Sequence, residues 1–222
     1  MATTPATTAP ANAFGGFRAR TTTIPRLLAD LVAIARVGPA AARVWFARSL
    51  DPAFRERIMV AVAQVNGCRY CTFMHRAWAQ AAGATDAELA ALEALDGVEP
   101  GAFDRREWTA IQYARALADA EFGPVDPALV AAVRDAWGAR GRADVEAVAR
   151  VMTFANRAAN TLDAFLSRLR GAPDPNGRLV DEVLIALGVV LGGAPMLIPL
   201  MIWRRQGPLA IWRALRARGA EH

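Results

Sequence analysis

The sequence predicts an all-α protein, a bundle of antiparallel helices joined by short connections. Apolar residues recur at helical spacing along most of the 222 residues, and 54% of the residues are hydrophobic, enough to bury a core. Helix-start signals recur too, with Asp followed by Pro at 51–52 and again at 126–127. No segment shows the alternation of a half-buried strand, and no hairpin pair flanks an Asn-Gly turn.

The first three predicted helices follow from periodicity and capping residues. The first has apolar residues on one face: Leu27, Leu28, Leu31 and Ile34. The second begins at Asp51-Pro52 and ends at Asn66-Gly67. The third begins near Cys68 and ends at Gly83.

Later segments predict further helices in the same way. Thr85 and Glu88 form a capping box for a helix that continues through Leu89, Leu92 and Leu95. Residues 104–121 predict the next helix, and Asp126-Pro127 starts another. Residues 142–170 keep helical spacing for about seven to eight turns before Gly171.

Composition divides the chain into three parts. Residues 1–24 are rich in Ala, Thr and Pro and predict a disordered leader. Residues 25–172 predict the helical domain. The sequence Pro173-Asp174-Pro175-Asn176-Gly177 predicts a sharp turn or linker, so that residues 173–222 form a C-terminal apolar and basic helical extension.

The extension contains 21 residues, 183–203, without any charged residue. Gly192-Gly193 and Pro195 predict a bend there between two short helices, each too short to cross a bilayer. The following segment, 208–218, predicts an amphipathic helix with Trp212 among arginines. Residues 183–218 therefore suit either contact with a membrane surface or packing on a neighbouring subunit.

The charge pattern argues against nucleic-acid binding. The chain carries a formal net charge of +5, and its basic residues, all arginine, are spread with acids between them along most of the chain, the two ends excepted. A nucleic-acid-binding protein would concentrate them along one stripe with stacking aromatics. No signal peptide is recognisable, so we expect a cytoplasmic protein with reduced thiols, associated with a membrane if the extension binds one.

The chemistry is concentrated in one short motif, Cys68-Arg69-Tyr70-Cys71, followed by His75. Spacings of three, four and seven place Cys68, Cys71 and His75 on one helical face. A thiol at a helix N-terminus has a lowered pKa because it lies at the positive end of the helix dipole. His75 can accept the proton of Cys71.

Three other interpretations of this motif are less consistent with the sequence. A structural pair of buried cysteines would leave the neighbouring histidine unexplained. Zinc needs four ligands, so a carboxylate such as Glu56 would have to complete the site. The thioredoxin fold places its Cys-x-x-Cys after a strand, and no strand is predicted here. Thiol–disulfide chemistry without a metal or organic cofactor is favoured.

The helix lengths bring Glu56 into this region. Asn66-Gly67 joins two helices that can run back along each other. Glu56 lies about 16 Å before this turn and His75 about 12 Å after it, at a rise of about 1.5 Å per residue. From its position alone, Glu56 could equally be a solvated acid near a helix N-terminus.

Residues 55–75 resemble the carboxymuconolactone decarboxylase / alkylhydroperoxidase AhpD-like superfamily, whose peroxidase branch carries an upstream Glu and Cys-x-x-Cys-x-x-x-His. Glu56, Cys68, Cys71 and His75 match that pattern. The resemblance extends over about residues 45–171 and implies an all-α AhpD-like bundle, assembled as a trimer or hexamer. One position departs from it: the best-known members place His just before the second Cys, where this chain has Tyr70.

The resemblance implies a thiol-dependent peroxidase or disulfide oxidoreductase. Its substrates would be a hydroperoxide and a thiol or dithiol reductant, with Cys71 attacking, Cys68 resolving, His75 as general base and Glu56 orienting it. Decarboxylase members lack the cysteine pair. The alternative is a membrane-associated or assembly protein that senses redox state through the same thiols without efficient turnover.

Overall fold

The computed structural model describes residues 19–93 and 100–203, and all regular structure within these ranges is helical. A short 3-10 turn covers Pro100–Ala102. The α-helices are α1 (Ile24–Arg36), α2 (Gly38–Trp45), α3 (Pro52–Val65), α4 (Arg69–Ala81), α5 (Asp86–Glu93), α6 (Arg105–Asp119), α7 (Pro127–Leu169) and α8 (Leu179–Trp203). The predicted all-α fold is confirmed.

Most helix starts lie where the capping residues predicted them. The Asp51 side chain accepts a hydrogen bond from the Phe54 N–H at 3.0 Å. Asp104 and Asp126 cap α6 and α7 in the same way. At the start of α5 the capping box is complete, because Thr85 and Glu88 each accept from the other's backbone N–H. These bonds satisfy N–H groups that a first helical turn leaves without partners.

Two helices differ from the sequence-based prediction. The short helix α2 was not predicted, because its Gly38-Pro39 start also suits a turn; here Pro39 lies in the first helical turn, where its missing N–H costs nothing. The helices predicted from Asp126-Pro127 and over 142–170 join end to end as α7. Gly138, with φ 70° and ψ 173°, breaks the helical geometry between them.

The predicted bend at residues 192–195 is wrong. Helix α8 is assigned as a single helix from Leu179 to Trp203. A proline inside a helix removes one backbone hydrogen bond, but a helix can bend at a proline without ending, and α8 continues through both Pro195 and Pro199. Among the residues that the structure describes, no helix is long and apolar enough to cross a membrane. The predicted helix over 208–218 and the position of Leu95 lie outside the described residues.

Helix α3 lies at the centre of the bundle. It packs against α4, α5, α6 and α7. Residues 58–63 are buried on every side of this helix, from Ile58 through Ala63. A helix that is apolar all round is stable in water only when neighbours cover each face. The position of α3 therefore fixes where its polar residue Glu56, two residues before this buried run, can lie.

A buried polar network ties the end of α3 to α7 and to the chain before α1. The Asn66 side chain donates to Thr153 and Asn156, each at 3.2 Å. The Asn66 carbonyl accepts from Asn160 at 2.9 Å and from the Arg20 N–H at 3.1 Å. Residues 19–24, which the composition assigned to the leader, thus contact the bundle, whereas residues 1–18 lie outside the described residues.

We predict that Gly67→Ala destabilises the fold by about 1–2 kcal/mol, the usual strain of an L-residue in the left-handed region. Gly67 has φ +64°, and an added Cβ would lie 3.3 Å from the Cα of Ala19. Urea denaturation measures the change. Gly38→Ala is the matched control, because a Cβ there meets nothing within 4 Å and φ is not positive; its effect should stay within about 0.5 kcal/mol. Equal unfolding midpoints for the two variants would contradict the prediction.

Candidate redox site

The candidate site is built on the antiparallel pair α3 and α4, which are joined by Asn66, Gly67 and Cys68. Gly67 adopts the positive φ that lets the chain reverse at once. Cys68 is the N-cap of α4, and its sulfur accepts a hydrogen bond from the Cys71 N–H at 3.3 Å. The sulfur of Cys68 therefore lies at the positive end of α4, as the motif predicted.

Cys68 and Cys71 form a disulfide, with their Cα atoms 5.3 Å apart. Their accessibility differs. Cys68 is 1% exposed, whereas Cys71 is half-buried against the edge of the core. Of the two sulfurs, Cys71 is the one that a molecule from solvent can approach more easily.

Glu56 and His75 meet across the two helices. The His75 Nδ1 and the Glu56 Oε2 lie 2.7 Å apart, and both side chains are largely buried. The other carboxylate oxygen of Glu56 accepts from Arg55 at 3.2 Å. The contact that the helix lengths predicted is therefore present, and Glu56 is not a solvated acid at a helix end.

The environment of Glu56 favours its ionised form. Burial raises the pKa of this carboxyl group. The hydrogen bond and charge of His75, together with Arg55, lower the pKa by more than burial raises it, so that the pKa of Glu56 falls below the usual 4.5. An ionised Glu56 can only accept a hydrogen bond from Nδ1 of His75. The Nδ1 atom of His75 therefore carries a proton toward Glu56, which leaves Nε2 as the ring nitrogen that can exchange a proton with a reactant.

The His75 ring also makes an edge-to-face contact with an aromatic neighbour. The ring of Trp78 lies 4.9 Å from it, centroid to centroid, nearly perpendicular. His75 lies one helical turn after Cys71 on the same face of α4. A carboxylate, an imidazole and a pair of cysteines thus lie together along one face of the hairpin.

The Tyr70 hydroxyl binds a residue of α7 and not the Glu56–His75 pair. Its hydroxyl lies 3.0 Å from Asp163 on α7, which also forms an ion pair with Arg69 at 2.6 Å. Burial and the negative charge of Asp163 raise the pKa of Tyr70. Sequence reasoning missed Asp163, because no local signal links residues 93 positions apart.

The described residues contain no group of three or more His, Cys, Asp or Glu side chains that could hold a metal ion. Glu56, which would have to complete a zinc site, is bound to His75 and Arg55 instead. The arrangement places an imidazole, bound to a carboxylate, one helical turn from a pair of bonded cysteines.

Residues 31–116 match the family model described as the carboxymuconolactone decarboxylase family. This range contains Glu56, both cysteines and His75. It agrees with the resemblance that the motif indicated. No curated protein and no solved structure matches the chain significantly.

We predict a pH-dependent stability difference between the wild type and Glu56→Gln. Because the pKa of Glu56 in the folded state lies below 4.5, ionised Glu56 stabilises the fold above pH 4.5, and this contribution is lost as the pH falls through the folded-state pKa. At pH 7 the wild type should be more stable by about 1–3 kcal/mol, the range for a buried hydrogen bond to a charged group. The difference should shrink between about pH 5 and pH 3.

Chemical denaturation of both proteins across that pH range measures this difference. Glu93→Gln is the control, because Glu93 forms its ion pair with Arg76 nearer to solvent. This substitution should change the free energy of unfolding by less than about 1 kcal/mol. A difference between wild type and Glu56→Gln that grows as the pH falls below 4.5 would contradict the lowered pKa.

Proposed function

Residues 31–116 of this chain belong to the carboxymuconolactone decarboxylase family, a family of enzymes, and on that premise we propose that the chain is a thiol-dependent peroxidase. It would reduce hydroperoxides with its Cys68–Cys71 pair and be returned to the dithiol by a thiol or dithiol reductant. The observation that carries the proposal is the contact of 2.7 Å between Glu56 and His75, one helical turn from a cysteine pair at bonding distance.

The first step takes place at Cys71, the more exposed of the two cysteines. His75 takes the thiol proton at Nε2, and the thiolate attacks the terminal oxygen of the hydroperoxide. The O–O bond breaks, Cys71 becomes a sulfenic acid, and the alkoxide leaves and takes a proton from His75 to form an alcohol. The ionised Glu56 stabilises the imidazolium that forms between these two proton transfers.

The second step joins the two cysteines. The Cys68 thiol attacks the sulfenic sulfur of Cys71, water leaves, and the disulfide forms. Two electrons from an external dithiol then restore both thiols by exchange, with the reductant converted to its own disulfide. The sum is one hydroperoxide and one dithiol converted to alcohol, water and disulfide. This cycle requires no metal or organic cofactor.

Because Tyr70 occupies the position before the second cysteine, His75 accepts the thiol proton in this scheme. The relay that an imidazole before the second cysteine provides in the best-known members is absent, and the Tyr70 hydroxyl is bound to Asp163. The raised pKa of Tyr70 keeps its hydroxyl protonated at neutral pH. We therefore assign the proton transfer to His75 and Glu56 alone.

We predict that one equivalent of an organic hydroperoxide oxidises the reduced protein to an intramolecular disulfide, with the loss of two hydrogens by mass spectrometry. Cys71→Ser should abolish turnover. Cys68→Ser should retain the first step and accumulate a sulfenic acid at Cys71 that a dimedone-type reagent traps. Two free thiols after peroxide treatment would reject the proposal. A sulfenic acid trapped at Cys68 of Cys71→Ser, with none at Cys71 of Cys68→Ser, would exchange the roles of the two cysteines.

We predict that His75→Ala slows the reaction with hydroperoxide by about 10²–10⁴-fold, the range for a lost general base. Glu56→Gln should slow it less, because it keeps an acceptor for Nδ1 but loses the charge. Stopped-flow measurement of thiol oxidation across pH gives both rates. Tyr70→Phe is the control, and its rate should stay near that of the wild type.

The same measurements separate the enzyme from a redox sensor. A peroxidase turns over repeatedly when a dithiol such as dithiothreitol is supplied. A chain that forms its disulfide once with hydroperoxide but shows no dithiol-dependent turnover would be the thiol sensor that is the alternative to the enzyme.

A further inference from the structure

We propose that Asp163 of α7 sets the reduction potential of the Cys68–Cys71 pair by neutralising Arg69, the charged residue between the two cysteines. Asp163 lies beyond residues 31–116, the range that the family model matches. It acts through Arg69 and is therefore a positioning residue for the cysteine pair. The inference rests on the redox role proposed above for the two cysteines and adds a residue that controls it.

One face of α7 holds the cysteine motif on both sides of Cys68. Asn156, Asn160 and Asp163 follow each other at spacings of four and three residues, which places them on one helical face. All three are more than nine-tenths buried. The first two bind Asn66, just before the motif, and Asp163 binds the motif itself. The cysteine motif is thus fixed to α7 as well as to α3.

The carboxylate of Asp163 binds both residues that separate the cysteines. Its Oδ1 accepts hydrogen bonds from the Arg69 guanidinium at 2.6 Å and from the Tyr70 hydroxyl at 3.0 Å. Arg69 also donates to the Tyr70 hydroxyl at 3.1 Å, and its guanidinium lies 4.9 Å from the centre of the Tyr70 ring. These three contacts close a triangle, which holds the charge of Arg69 against one carboxylate.

The burial of Asp163 makes this pairing of charges effective. The Asp163 side chain is 12% exposed, and that of Arg69 is 40% exposed. Burial lowers the pKa of Arg69, but the hydrogen bond and charge of Asp163 raise it by more, so that its pKa lies above the usual value. Because partly buried charges are only weakly screened by salt, the two opposite charges cancel locally. The cysteines therefore lie beside a pair without net charge.

A charge beside the cysteines acts mainly on their reduced state. Reduction adds two electrons, from the external dithiol, and two protons to the disulfide, and a resulting thiol becomes a thiolate when it releases its proton to solvent. A positive charge nearby stabilises the thiolate, and a negative charge destabilises it. The disulfide itself carries no charge. An uncompensated charge next to Cys68 therefore changes the stability of the reduced state, and with it the reduction potential.

Equilibration of the protein with mixtures of reduced and oxidised dithiothreitol measures this potential, at a pH near the ordinary thiol pKa of about 8.5, where thiolate is present. Asp163→Asn keeps an oxygen acceptor but leaves Arg69 uncompensated. Its disulfide should be easier to reduce by about three- to tenfold in the equilibrium constant, which is about 15–30 mV for a two-electron couple. Arg69→Gln leaves the carboxylate uncompensated and should shift the constant by a similar factor in the opposite direction.

The double variant Arg69→Gln with Asp163→Asn separates the effect of charge from a loss of structure. Like the wild type, it has no net charge at these two positions, so its equilibrium constant should return to within about twofold of the wild-type value. A residue that only held the turn in place would give another pattern, in which both single variants shift in one direction and the double variant shifts at least as far. That pattern, or unchanged constants in both single variants, overturns the proposal.

Asp144→Asn is the matched control. Asp144 is also a buried acid of α7, and it forms an ion pair with Arg43 at 2.5 Å. It precedes Asp163 by about 28 Å along the helix, at about 1.5 Å per residue, which is well beyond the range of a screened charge. Its equilibrium constant should equal that of the wild type. A shift as large as that of Asp163→Asn would show that any lost ion pair changes the potential, and would reject the proposal.

These measurements do not depend on the peroxidase reaction. A wild type that equilibrates with dithiothreitol but does not react with hydroperoxide rejects the proposed function, whereas opposite shifts in the two single variants would still support the role of Asp163. A wild type that forms no disulfide at any ratio of the two forms of dithiothreitol rejects both proposals.

Discussion

The structure depends on the burial of Asn66 at the end of α3. A buried N–H group and a buried carbonyl each cost free energy unless they are hydrogen-bonded. Here the side-chain nitrogen of Asn66 donates to α7, and its backbone carbonyl accepts from α7 and from the chain before α1. These bonds require three distant segments to meet at one point. They also hold the end of α3 in place, so that Gly67 can reverse the chain and Cys68 can begin α4 in a fixed position.

The geometry of the candidate redox site is set by this turn. Because α3 and α4 run antiparallel from Asn66, residues at similar distances from the turn face each other, and Glu56 meets His75 for that reason. The same turn makes Cys68 an N-cap and leaves Cys71 half-buried. The two cysteines therefore differ in environment although they are three residues apart, which is the asymmetry that an attacking and a resolving thiol need.

Two acidic residues at the start of α8 bind this helix to α1 and to α7. Asp181 binds the first turn of α1 and Glu182 binds Arg168 of α7. These contacts fasten the start of α8 to the bundle, on helices other than the α3–α4 hairpin that carries the cysteines.

The sequence by itself determined the helical class, most helix starts and the composition of the site. Capping by Asp51, Asp104 and Asp126 acts within one turn, and the Cys-x-x-Cys-x-x-x-His spacing lies within one helix, so local chemistry suffices to predict them. Only the tertiary structure decided that Tyr70 is bound to Asp163 and that α8 continues through Pro195. It also decided that the two predicted helices on either side of Gly138 follow each other as α7, with a kink at this glycine. The Tyr70 contact depends on a partner far away in the sequence. At Gly138 and Pro195, the free energies of a kinked helix and of an interrupted helix differ little, so that the local sequence does not show which one forms.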